Sequence, residues 1–92
     1  MQWKLNSSVV CEEIFGVFVL IAARPAYKEC PYVQRVNESG AYYWYLLGKH
    51  TDIIDVIHEA ATHFHVSEIE VEKELLPFMR SLEKEHYLSM QE

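Results

Sequence analysis

The chain has 92 residues, half of them hydrophobic, with eight basic and fourteen acidic side chains that leave a formal charge of -6. This length fits one domain over residues 1–92 and excludes separate catalytic and regulatory halves, while the composition excludes a disordered tail. The acidic balance repels phosphate backbones, and the most apolar stretch, residues 17–23, is far shorter than the ~20 residues of a membrane helix. With no signal-peptide architecture at the N-terminus, a cytoplasmic protein without a membrane partner is expected.

In chain order, the first third reads as strands. Val9 to Ile14 alternates, Phe15-Gly16 suits a hairpin turn, and Val17 to Ile21 is rich in β-branched and aromatic residues. Two prolines between Arg24 and Pro31 interrupt any ladder, after which Tyr32 to Val36 predicts a third short strand. Three antiparallel strands are therefore expected. Asn37 is a good N-cap and Glu38 suits a helix N-terminus, so a first helix is predicted from Glu38 to Leu47, stopping at Gly48. A second helix follows Thr51 as N-cap, with Ile53, Ile57, Ala60 and Phe64 at helical spacing. Ser67 and Glu70 form a capping box that opens a third helix reaching about Glu85. Pro77 inside it predicts a kink between Lys73 and Pro77, or two shorter helices. Val71, Leu75, Phe78, Met79 and Leu82 share its broad apolar face, whereas Ile69 and Leu76 lie on a smaller one beside Lys73 and Arg80.

This order predicts an α+β, winged helix-turn-helix-like domain: a three-stranded antiparallel sheet followed by three α-helices. DNA binding is the common use of that scaffold and stands as the alternative. Against it, Glu68, Glu70, Glu72 and Glu74 crowd the third helix, where a recognition helix needs Lys, Arg, Asn or Gln, so no nucleic acid partner is expected.

Chemistry-bearing constellations are weak. His58 and His65 lie two turns apart and His63 and His65 do not share a face, so solvent-facing histidines are favoured over a metal site. Ser39 reads as a first-turn helix residue. Cys11 has no evident activating base, and Cys11 and Cys30 form no CxxC, so both read as reduced thiols. In the aromatic run, core packing is favoured over base stacking, with Tyr42 or Tyr45 partly exposed. No catalytic residue, metal or cofactor is expected, and the chain does not read as an enzyme.

Arg35-Val36-Asn37-Glu38-Ser39-Gly40-Ala41-Tyr42-Tyr43-Trp44-Tyr45-Leu46-Leu47 resembles the strand end and first helix of the PqqD-like family, with its Leu-Asn-x-x-Gly-x-x-x-Trp-x-x-Leu pattern. Thr51 to Val66 resembles that family's second helix and its following Tyr-x-Val. Glu74-Leu75, Phe78-Met79 and Leu82 resemble its third, and Ser8 to Leu20 its opening hairpin. Val36 stands in place of the usual Leu, Pro77 interrupts the third helix, and His86-Tyr87-Leu88 replaces the usual Gly-Leu-Ile. The resemblance implies a RiPP recognition element, a peptide chaperone in peptide natural-product biosynthesis. Such a domain binds the leader segment of a ribosomally synthesised precursor peptide by strand addition between the third strand and third helix. It then presents that peptide to a modifying enzyme, often a radical SAM protein. On this reading the strand edge is Val33, Gln34, Arg35 and Val36, and the opposing wall is Ile69, Lys73, Leu76 and Arg80. Exposed strand edges also permit a homodimer through strand exchange.

Overall fold

The computed structural model describes residues 1–23 and 33–91. The expected linker between Arg24 and Pro31, Cys30 and the strand start at Tyr32 lie outside these residues. Eight elements follow in order: β1 (Gln2–Leu5), β2 (Val9–Ile14), β3 (Val17–Ala22), β4 (Val33–Val36), α1 (Glu38–Lys49), α2 (Ile53–Phe64), α3 (Glu68–Lys84) and β5 (Leu88–Gln91). The fold is α+β, with β2-β3-β4 forming the expected three-stranded antiparallel sheet ahead of three helices.

The hairpin turns at Phe15 and Gly16, both with positive φ (51° and 78°), as a two-residue turn matched to strand twist requires. Val9, Leu20 and Ala22 point inward from the sheet and join one core with Tyr43, Trp44, Leu46 and Leu47 of α1, Val56 and Ala60 of α2, and Val71, Leu75, Met79 and Leu82 of α3.

Two strands escaped the sequence reading. β1 and β5 pair antiparallel in a separate ribbon, Gln2 opposite Gln91 and Leu5 opposite Leu88. Their four-residue segments have too little local periodicity to announce a pairing so distant in sequence. The ribbon is fastened to the body where Trp3 Nε1 donates to the Leu47 carbonyl (2.9 Å), and its ladder continues where the Asn6 amide donates to the Tyr87 carbonyl (2.9 Å). The buried Tyr87 and Leu88 thus occupy the place where the terminus departs from the family pattern.

Two helix boundaries and the continuity of α3 also differ. α1 continues through Gly48 to Lys49 and ends in an extended His50, because Lys49 and His50 are both held by Glu59 of α2 (3.0 and 2.9 Å). The α2 N-cap is Asp52 rather than Thr51, its carboxylate accepting from the Ile54 amide at 2.9 Å. α3 is one helix of 17 residues rather than two shorter ones, Pro77 included. Its capping box is present as expected, with Ser67 accepting from the Glu70 amide and Glu70 from that of Ser67. Among the described residues no helix is long and apolar enough to cross a membrane.

Candidate functional site

The order β2-β3-β4 leaves β4 as an edge. Which of its backbone groups are free follows from the phase of the ladder. The Ala23 amide bonds the Ser8 carbonyl (2.8 Å), so the hydrogen-bonded pairs of β2 and β3 alternate from Ser8–Ala23 through Val10–Ile21 to Ile14–Val17. Phe18 and Leu20 must then bond toward β4, to Val36 and Gln34. Val33 and Arg35 therefore turn their N–H and C=O groups outward, toward an added strand. Their side chains lie on the exposed outer face, whereas Gln34 and Val36 are half-buried beneath the sheet. A hollow of about 430 Å³ opens at the strand's C-terminal end, bounded by Arg35, Val36 and the start of β3.

Beyond β4 the chain enters α1 through Asn37, whose side chain accepts from the Gly40 amide at 2.7 Å. Gly40 has a spatial reason: a Cβ there would stand 3.1 Å from the Phe78 ring of α3. Tyr43 packs on the same ring with centroids 6.0 Å apart, and the Ser39 hydroxyl donates to Glu74 at 2.9 Å. Burial, then the charge and hydrogen bond of Glu74, push the Tyr43 hydroxyl up to about 12. So α3 meets the segment following β4 through Glu74 and Phe78.

At about 100° per residue, Ile69, Lys73, Leu76 and Arg80 lie away from that contact, on the other flank of α3. Ile69, Lys73 and Arg80 are exposed; Leu76 is half-buried and packs against the core. The structure brings Ser39, Gly40, Tyr43, Glu74 and Phe78 together, a cluster the sequence reading treated only as core and helix-start residues. Its available signal was the Gly in the first turn of α1.

The remaining candidates have local roles. His63 stacks on Tyr42 (4.0 Å between ring centroids), His58 faces Glu68 at 3.9 Å, and His65 caps α2 in the left-handed conformation. Among the described residues no group of three or more His, Cys, Asp or Glu is placed to hold a metal ion. Burial first, and then the neighbouring charge of Glu12, push the Cys11 thiol up, away from the nucleophilic thiolate. Glu59 gathers Tyr42, Lys49 and His50; hydrogen bonds from His50 and then Lys49 hold its carboxyl below the usual range.

Residues 31–88 match the profile of the family described as Coenzyme PQQ synthesis protein D (PqqD). The chain belongs to the PqqD family. The family pattern then has a physical content in this PqqD-family chain: Asn37 caps α1, Gly40 admits Phe78, Trp44 fills the core, and buried Leu47 accepts from Trp3. A solved structure described as TbiB1 in complex with the TbiA(beta) leader peptide has a TM-score of 0.75. The match covers 97% of this chain and 98% of that one at 20% identity, a likeness of fold. Among curated proteins, no sequence matches this chain.

Proposed function

We propose that this chain is a single peptide-binding domain that captures the leader segment of a ribosomally made precursor peptide and presents it to a modifying enzyme, a radical SAM maturase being the kind the family implies. The chain binds and does not catalyse. Membership of the PqqD family supports this reading, as does a fold shared with TbiB1, which is held with a leader peptide. The observation that carries it is the open edge of β4, where Val33 and Arg35 offer two sets of outward main-chain groups. An extended leader adds there as a fourth strand, its main chain supplying affinity and its alternate side chains selectivity. The site comprises the edge Val33, Gln34, Arg35 and Val36 with α3 as its wall, of which Glu74 and Phe78 face the segment after β4 and Ile69, Lys73, Leu76 and Arg80 form the other flank. A leader carboxylate fits opposite Arg35, because directly opposed residues share a face.

The test is a titration of isotope-labelled protein with the leader half of a precursor encoded beside the gene, followed by backbone amide shifts. Saturable shifts confined to Val33–Val36 and α3 are expected, and absence of shifts at saturating peptide would refute the reading. Ile69, 66% exposed, is the informative wall residue; Leu76 packs on the core, so a charge there would disturb the fold as well. Ile69→Asp should weaken binding about tenfold with an unchanged melting temperature. Unchanged affinity would move the wall to the flank bearing Glu74 and Phe78. Arg35→Glu should weaken an acidic leader and flatten the salt dependence of its binding.

A further inference from the structure

A second opening, bounded by described residues, lies along the other edge of the sheet. A cleft of about 820 Å³ separates the inner face of the β2–β3 hairpin from α1, within the ~300–1,000 Å³ range typical of specific ligand sites. On α1 its floor is a helical stripe, Glu38, Ala41, Tyr45 and Gly48, in which two small residues flank an aromatic ring that is 58% exposed. On the hairpin its wall is Val9, Cys11, Glu13 and Phe18.

The ladder phase that frees Val33 and Arg35 on β4 also frees Cys11 and Glu13 on β2, since Val10, Glu12 and Ile14 are the residues bonded to β3. The cleft thus combines unused main-chain groups with an apolar trough. Its charge is uneven. Glu13, Phe18 and Val36 form one row across the sheet, and Glu38 follows Val36 by two residues, so both carboxylates stand at the hairpin end. Neither has an ion-pair partner among the described residues. At the far end Lys49 is already neutralised by Glu59, at 3.0 Å.

We propose that this cleft binds a second extended polypeptide segment, pairing with β2 and placing a Lys or Arg between Glu13 and Glu38 and an apolar side chain against Ala41 and Tyr45. The β2 and β4 edges lie on opposite sides of β3, about 10 Å apart, so one strand cannot occupy both and the two sites fill independently. The chemistry of the second ligand is the inverse of that expected at Arg35: basic and apolar rather than acidic and apolar.

The experiment uses the full chain, isotope-labelled, and the peptide acetyl-Lys-Thr-Phe-Thr-Val-Thr-amide, whose lysine and apolar side chains share one strand face, with its Lys→Glu counterpart as the control. The lysine peptide should give saturable amide shifts at Val9–Glu13 and along α1, leaving Val33–Val36 unmoved, and the glutamate peptide none. Glu13→Lys and Tyr45→Ala should each weaken it about tenfold, while Glu72→Lys, an equal charge change on the exposed face of α3, should not. Equal weakening by Glu72→Lys, a response that never saturates, or shifts centred on β4 would each overturn the proposal. Saturable shifts at Val9–Glu13 in a protein that fails to bind its leader would retain this site while refuting the proposed leader function.

Discussion

Phe15 is the residue most at odds with its surroundings. Its ring is fully exposed and its backbone is left-handed at φ 51°, a conformation that costs a bulky side chain of order 1 kcal/mol and suits Asn or Gly. Phe15→Asn places Asn-Gly in a two-residue turn and should stabilise the protein by about 1 kcal/mol, read from urea unfolding. A destabilised variant would mean that contacts of the ring outweigh the cost of its backbone conformation. At this scale much was legible in the sequence, because the informative residues act locally. Asn37 caps α1, Ser67 and Glu70 cap α3, and Phe15-Gly16 turns the hairpin, each through neighbours within three positions. Trp3, Glu74 and Phe78 were opaque for the opposite reason: their partners Leu47, Ser39 and Gly40 lie more than thirty residues away.

Among the elements, α3 poses the sharpest conflict between propensity and packing. Proline in a helix interior removes a backbone bond, here the one to the Lys73 carbonyl, and costs about 3 kcal/mol. Yet α3 is unbroken from Glu68 to Lys84. Pro77 itself is exposed, whereas Leu75, Met79 and Leu82 around it are buried and Phe78 is wedged against Gly40, so core contacts on both sides of the proline hold the helix together. Burial of such side chains, roughly 1.5–3 kcal/mol each, outweighs one lost turn. Pro77→Ala should therefore raise stability by about 1–3 kcal/mol in chemical denaturation. If Pro77 instead shapes the leader groove, the same variant will lose leader affinity while gaining stability, and the two measurements together separate these roles. β4 was legible as a strand, but its value as an edge depends on the hydrogen-bond phase inherited from β2 through β3. No single segment carries that information.

Over the whole molecule, α1 and α3 are joined by a contact with a defined pH dependence. Tyr43 is almost wholly buried, and its hydroxyl is raised to about 12 by burial first and by Glu74 second. In the unfolded chain the same group ionises near 10. Since its folded value is the higher one, its contribution is complete below pH 10 and is lost as pH rises toward 12, at about 1.4 kcal/mol per pH unit. The other tyrosines remain in a Tyr43→Phe variant, so the difference between the two proteins isolates this residue. Near pH 8 the variant should be about 1 kcal/mol less stable, having lost the hydrogen bond to Glu74. By pH 11.5 that deficit should vanish or reverse, because phenylalanine has no proton to lose and the wild-type chain will have surrendered roughly 2 kcal/mol. Urea midpoints measured across this range check the sign directly. Parallel curves would mean that Tyr43 ionises in the folded protein as it does in the unfolded one, and that shape alone holds the α1–α3 contact beside β4.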